Sequence, residues 1–370
     1  MKVAVVGCGA MGAAASWRLS KRGAEVVAFD RFSPPHDRGS THGDTRITRT
    51  AYLEGAFYVP LLQETFPMWR QLEAETGAGL LSLTGLLTIG AASSQPIEAT
   101  LRAAREHGLD VTVLDAAAVR KRYPGHVLAD DEVALLDPQA GFLRPEAAVE
   151  AMTRGIDLRR NSVVTAIEPR PAGVHVTVDG SAEAFDAAVI AAGPWTSELV
   201  RGLPLTVERQ VMVWLAVQAG IDSFSPSRFP AWLREGTAEG DIYGFPSLDG
   251  RSIKLGRHHG GEVVMPDTVK RTVTDADLDP LRLFVTKYLQ GVTRHVVRSA
   301  VCLYTNTPDE NFIVDVHPES ERVVVLSACS GHGFKFAPVM GDIAADLLLD
   351  GGTRRDISRF SLARFANDAG

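Results

Sequence analysis

The chain has 370 residues, two to three domains' worth of material with ample core. Its 38 basic and 45 acidic residues leave a formal charge of −7, which argues against a nucleic-acid-binding surface and predicts a soluble protein. No apolar run reaches the ~18 residues of a membrane span, and the N-terminus starts as a strand without a cleavable signal pattern, so a cytoplasmic address is expected.

Lys2 to Val6 is a short β-branched run, followed at once by Gly7-Cys8-Gly9-Ala10-Met11-Gly12. An amphipathic helical pattern continues to about Arg22, Gly23 ends it, and a second strand from Glu25 to Phe29 closes on Asp30. Strand, glycine loop, helix, strand and acid together make a dinucleotide-binding βαβ unit. Gly7 permits the tight turn, Gly9 lets the backbone approach a pyrophosphate, and Gly12 lets helix and strand pack closely. The helix N-terminus offers unpaired N–H groups to the phosphates. Asp30 can accept from ribose hydroxyls. The loop alone does not separate NAD from FAD.

A polar loop, Ser33 to Arg49, precedes a helix expected from Val59 to about Gly77. Leu83 to Ile89 reads as a strand, Gln95 to His107 as a helix, and Pro145 to Ile156 as a helix after the turn at Pro138 to Phe142. Ser162 to Ile167 and Val174 to Val178 resemble a hairpin. Phe185 to Ala191 reads as one buried strand that stops at Gly193-Pro194-Trp195, a second contact point for a dinucleotide. From Val207 to Val301 the pattern is strand-rich, broken by a helix from Asp277 to Leu289. Val323 to Ser327 has the β-branched character of a central parallel strand, and Pro338 to Leu349 is the closing helix. The fold class is α/β, with a parallel sheet drawing on both termini and the middle of the chain, and two insertions forming a second, mostly antiparallel domain.

Three cysteines, Cys8, Cys302 and Cys329, are too few and too scattered for a disulfide framework. Neither they nor the histidines show metal-ligand spacing, so no metal is expected. Cys302 has a different interest. With the run Ser330-Gly331-His332-Gly333-Phe334-Lys335 it supplies what a flavoprotein needs at the ring end of its cofactor. The glycines let backbone N–H groups approach the ring, and the positive end of the following helix can face the charge that accumulates there on reduction. Paired with the N-terminal loop, these residues suggest FAD held from both ends. An NAD-dependent dehydrogenase would leave them without a purpose.

Four segments carry a more specific signal. They are Gly39-Ser40-Thr41-His42-Gly43-Asp44-Thr45-Arg46-Ile47-Thr48-Arg49; Tyr243-Gly244-Phe245-Pro246; Lys254-Leu255-Gly256-Arg257-His258; and Cys302-Leu303-Tyr304-Thr305 through Gly331 to Phe336. Over nearly its whole length the chain resembles the monomeric sarcosine oxidase and N-methyltryptophan oxidase family, within the D-amino-acid-oxidase-like flavoproteins. The resemblance implies a Rossmann-like FAD-binding domain from residues 1–79, 140–205 and 309–370, and a substrate domain from residues 80–139 and 206–308. It implies FAD bonded through its 8-methyl carbon to Cys302, Lys254 over the flavin where it promotes reaction with O2, and Arg46 against the flavin. Arg49 and Lys335 would bind the substrate carboxylate, and Tyr243 and His258 would line the substrate cavity. The cofactor-binding set is then Gly7, Gly9, Met11, Gly12, Asp30, Arg31, Ser40, Thr41, Arg46, Gly193, Trp195, Cys302, Gly331, Gly333, Phe334 and Lys335. The sequence departs from the sarcosine-oxidase pattern at Arg257, His259 and Thr41, which bears on the substrate rather than the chemistry.

The implied reaction oxidises a secondary amine on an N-methyl or other N-substituted amino acid. Hydride passes to the flavin, the imine is hydrolysed, and O2 becomes H2O2, in a monomer whose partners are small molecules. Alternatives are a pipecolate or glycated-amino-acid oxidase of the same fold, a flavin-dependent RNA-modifying enzyme, and a non-catalytic flavin-binding subunit.

Overall fold

The computed structural model describes residues 1–218 and 221–365. Lys2–Val6 lies inside a six-stranded sheet, parallel to Ala187–Ile190 on one side and to Glu25–Asp30 on the other. Ser320–Ser327 continues the sheet in parallel beyond Ala187–Ile190, and Ile313–His317 closes that edge antiparallel. Asp157–Arg160 forms the opposite edge, parallel to Glu25–Asp30. A strand covered on both faces has to be continuously apolar; Val3 to Val6 and Val323 to Leu326 are all buried. Helix Ala10–Lys21 packs against the closing helix Ala337–Leu349, and the approach depends on Gly341, where a Cβ would lie 2.4 Å from the Ala14 carbonyl carbon.

Among the described residues a second sheet holds nine strands. Its spine is Thr206–Val217, flanked by Ser252–His258 and Glu262–Val263 on one edge and by Val292–Asn306 on the other. From Ser252–His258 the sheet continues through Gly240–Gly244, Ala231–Thr237, Leu86–Ala91 and Glu132–Asp137 to Thr112–Asp115. Pairing is antiparallel except between Leu86–Ala91 and Ala231–Thr237. A small sheet of Arg46–Thr48, Gly141–Leu143 and Leu81–Ser82 also forms; its first strand lies in what reads from the sequence as a polar loop, and Gly141–Leu143 overlaps the expected turn.

Some expected bounds shift for physical reasons. The run from Phe185 to Ala191 is two strands in two sheets. Ser181–Phe185 ends the antiparallel unit of Val164–Arg170 and Gly173–Val178, and Ala187–Ile190 enters the parallel sheet. Asp186 marks the switch, its carboxylate accepting the Lys2 N–H and its own N–H donating to the Lys2 carbonyl. The strand expected from Leu83 begins at Leu86 because Gly85 turns the chain at φ 80°. The helix expected to reach Ile156 spans Pro145–Met152, and Gly155 follows at φ 79°. The helix expected from Asp277 starts at Asp275, because Thr274 and Asp277 form a reciprocal capping box.

Candidate active site

A cavity of about 350 Å³ runs from the N-terminal glycine loop to the turn before the closing helix. At the loop end, Gly7 has φ 87° and a Cβ there would lie 2.5 Å from the Ala191 carbonyl oxygen. A Cβ on Gly12 would lie 1.8 Å from the Gly7 carbonyl oxygen, so this glycine is what lets helix and loop touch. Gly7, Gly9 and Met11 line the cavity, as do Arg31, Gly193 and Trp195. Arg31 stacks over Trp195 at 5.1 Å. Asp30 is buried at this end; its Oδ2 accepts the Cys8 N–H at 2.8 Å and its Oδ1 the Phe32 N–H at 2.9 Å. Oδ1 is also met by His36 Nε2 at 3.2 Å, and Oδ2 keeps a second lone pair for a ligand hydroxyl.

Midway, Ser40 and Thr41 line the wall, with Thr41 Oγ1 accepting the Ala10 N–H at 3.2 Å. Arg46 donates to the Ser40 carbonyl at 2.6 Å and to the Thr45 carbonyl at 2.8 Å. Its Nη2 also lies 3.5 Å from Cys302 Sγ, and both residues line the cavity. Cys302 stands on Val292–Asn306 opposite Gln210.

The far end gathers Arg49, Lys335, Tyr243 and His258 with the turn Gly331, Gly333 and Phe334. Gly331 sits at φ 75° and a Cβ there would meet the Tyr304 ring at 2.6 Å, so glycine lets the turn close on Tyr304. Lys335 donates to the Tyr52 hydroxyl at 3.0 Å and to the His332 carbonyl at 2.6 Å. The Tyr52 hydroxyl meets His332 Nδ1 at 2.8 Å, and His332 Nε2 meets the Glu310 carbonyl at 3.0 Å. A carbonyl only accepts, so the proton sits on Nε2 and Tyr52 donates to Nδ1. Burial, then the neighbouring Arg49, pushes the Lys335 ammonium down to about 7. Burial pushes His258 well below the usual histidine range, and it raises Tyr243 to about 12 against the pull of Arg46. His258 Nδ1 and the Tyr304 hydroxyl are 3.2 Å apart.

Two expected site residues lie off this wall. Gly12 packs behind the loop, and Lys254 is not among the lining residues. The Lys254 ammonium is buried and donates to the Gly43 carbonyl at 2.6 Å, the Thr45 carbonyl at 2.9 Å and Thr45 Oγ1 at 3.2 Å. Burial, then Arg46, pushes it well below the usual lysine range.

A sequence profile for a family described as FAD dependent oxidoreductase matches residues 2–347. The chain belongs to that family. Its cofactor is FAD. The chain is 37% identical over 374 residues to monomeric sarcosine oxidase of Streptomyces avermitilis, covering 98% of this chain and 97% of the relative. It is 38% identical over 369 residues to N-methyl-L-tryptophan oxidase of Yersinia pestis, covering 98% of each. Among solved structures, NikD, described as an unusual amino acid oxidase essential for nikkomycin biosynthesis, superposes with a TM-score of 0.85 at 26% identity, covering 97% of this chain and 96% of that one.

The residues present fit the cofactor. Gly7 and Gly9 present bare backbone to the cavity at the N-terminal loop, no acidic residue occupies the first turn of Ala10–Lys21, and the cavity continues to a cysteine beside a guanidinium. The cavity wall also holds residues outside the expected set, among them Glu54, Glu235, Asp241 and Tyr304. Glu54 is ion-paired with Arg49. Burial works to raise the Glu54 carboxyl, but Arg49, with His332, Lys335 and His258, holds it at about 2. Tyr304 was legible, since it follows Cys302 by two residues on one strand and so shares its face. Glu235 and Asp241 bear the same relation to Leu233 and Tyr243.

Proposed function

We propose that this chain is an oxidase of a secondary amine on an N-methyl or otherwise N-substituted amino acid, with FAD bonded to Cys302. The observation that carries the reading is the placing of Arg49 and Lys335 at the end of the cavity that Cys302 and Arg46 approach. Bound FAD would take hydride from the carbon beside the amine nitrogen and pass the electrons to O2 as H2O2, and water would hydrolyse the imine.

The chain's own residues would do the rest. Gly7, Gly9, Met11 and Gly12 would hold the pyrophosphate, Asp30, Arg31, Gly193 and Trp195 the nucleoside end, and Ser40, Thr41, Arg46, Gly331, Gly333 and Phe334 the ring end. Arg46 would stand against the Cys302 sulfur that forms the bond. Arg49 would grip the substrate carboxylate. Among the described residues its Nε and Nη1 have no hydrogen-bond partner, while its Nη2 is held by Glu54. Lys335 would add a point charge, and Tyr243 and His258 would bound the amine. Burial keeps His258 uncharged near neutral pH, which suits a neutral amine poised to lose hydride. Lys254, anchored to Gly43 and Thr45, would act through its field on the step that reduces O2.

Residues 1–79, 140–205 and 309–370 would form the FAD-binding domain, and residues 80–139 and 206–308 the substrate domain. The full-length match to enzymes called monomeric sarcosine oxidase supports a monomer acting on a small molecule, and the reading keeps the cytoplasm as its place of work. Oxygen uptake and peroxide release with sarcosine, N-methyltryptophan, pipecolate, proline and glycated amino acids test it. Bound flavin with no uptake on any of them overturns the oxidase in favour of the idle subunit.

A further inference from the structure

The hairpin of Ala231–Thr237 and Gly240–Gly244 lays a graded face along the cavity. Leu233 stands opposite Tyr243 in register, and residues two apart on a strand share a face. Glu235 therefore follows Leu233, and Asp241 precedes Tyr243, at the turn end of the hairpin. All four line the cavity, together with Phe245. The alternate residues Arg234 and Ile242 are buried on the other face, where Arg234 is taken up by Glu132. The cavity face thus passes from Phe245, Tyr243 and Leu233 to two carboxylates.

Those carboxylates lack counter-charges. Among the described residues neither forms an ion pair, Asp241 accepts the Gly236 N–H at 2.7 Å, and Glu235 makes no side-chain hydrogen bond. The nearby cation is Arg49, and Glu54 already holds its Nη2. The Arg49 side chain is 6% exposed and lies over the Tyr52 ring, and among the described residues its Nε and Nη1 have no hydrogen-bond partner. An anion-seeking group and two cation-seeking groups therefore share one cavity. Burial, with Asp241 and Glu54 adding to it against Arg49, pushes the Glu235 carboxyl up to about 7, as befits an acid without its counter-ion.

We infer that the substrate carries, besides its carboxylate and reacting amine, a second cationic group on an aliphatic stem. The stem lies along Leu233 and Tyr243 and the cation meets Glu235 and Asp241. The inference rests on the amine-oxidase reading and names a substrate class for it. The cation can sit at the end of the amino-acid side chain or of the N-substituent; both present the same chemistry to the two carboxylates.

Thioether acids, in which sulfur replaces the reacting nitrogen, test this by binding alone. Calorimetry on the FAD-loaded protein would compare 6-amino-2-(methylthio)hexanoate with 2-(methylthio)hexanoate, and [(3-aminopropyl)thio]acetate with (butylthio)acetate. The cationic member of at least one pair should bind about tenfold tighter or more, and which pair shows it locates the cation. In Glu235→Gln, and further in Glu235→Gln with Asp241→Asn, that preference should collapse. Equal or tighter binding of both neutral members overturns the proposal, as does a preference that survives the double substitution. A fall in turnover of Nα-methyl-L-lysine and N-methyl-L-norleucine by the same factor in Glu235→Gln also overturns it, since Glu235 would then serve the reacting amine. The oxidase reading fails separately, by absence of O2 uptake with every N-substituted amino acid, whatever the thioethers do.

Discussion

Arg46 Nη2 lies 3.5 Å from the sulfur of Cys302, although the two residues are 256 positions apart. The guanidinium is held by the Ser40 carbonyl on the same Nη2 and by the Thr45 carbonyl on Nη1. The cysteine sulfur therefore stands in the cavity wall beside a fixed guanidinium.

Covalent attachment should follow from this pair. Acid-precipitated wild-type protein should stay yellow, and Cys302→Ser should release its flavin to the supernatant. Arg46→Met should slow attachment when apoprotein is incubated with FAD, with the covalent fraction read from denatured samples over time. A colourless pellet from FAD-saturated wild type refutes the bond.

Lys254→Met should slow reoxidation of the reduced holoenzyme by O2 by roughly 10²–10³, with a much smaller effect on reduction by substrate. The ammonium is held by Gly43 and Thr45, next to the loop that carries Arg46, so its field is preorganised. Stopped-flow traces of the two half-reactions decide the matter. Equal losses in both would mean that Lys254 only braces the loop.

Arg49→Ala should raise the Kd of methylthioacetate at least about tenfold, and Arg49→Lys should recover part of that. The two unpartnered nitrogens of Arg49 are what the acid would satisfy. The methyl ester of the same probe, which lacks the charge, should bind wild type far more weakly. If acid and ester bind alike, the carboxylate clamp is wrong.

Affinity for that same acid should fall as pH rises from about 6 to about 8.5. Lys335 has been pushed down to about 7, so its ammonium is present at the lower pH and lost at the upper. Glu235, pushed up to about 7, is neutral at the lower pH and charged at the upper, where it repels an anion. Both changes weaken carboxylate binding in the same direction, while Arg49 stays charged throughout. Lys335→Met should flatten the profile and Lys335→Met with Glu235→Gln should abolish it, as measured by flavin difference titrations across the range.

The sequence carried the cofactor end of the cavity because backbone geometry dictates it. Gly7 and Gly12 occupy places where a Cβ would strike a carbonyl oxygen, so a glycine pattern is a direct imprint of close approach. The substrate end is made otherwise. The resemblance implies Arg49 and Lys335, but the ion pair of Arg49 with Glu54 forms across a turn at Leu53 and Glu54 that local pattern does not specify. Glu235 and Asp241 sit on a hairpin whose alternation is visible, yet nothing in it says which face borders a cavity. The split of residues 185–191 between two sheets escaped for a similar reason: both halves are apolar, and Asp186 acts through a hydrogen-bond exchange with Lys2 at the far end of the chain.

Thr206–Val217 serves as a ruler between the two halves of the site. It pairs Gln210 with Cys302 on one edge and Trp214 with Lys254 on the other. A strand's side chains alternate, so deleting one residue between Thr206 and Gln210 would rotate every later position to the opposite face. The two irregularities in its pairing with Val292–Asn306 fall beyond Trp214, between Trp214 and Leu215 and between Leu215 and Val217. Changes of length are therefore absorbed at the Val217 end, and loops grafted there leave the cysteine and the lysine in step.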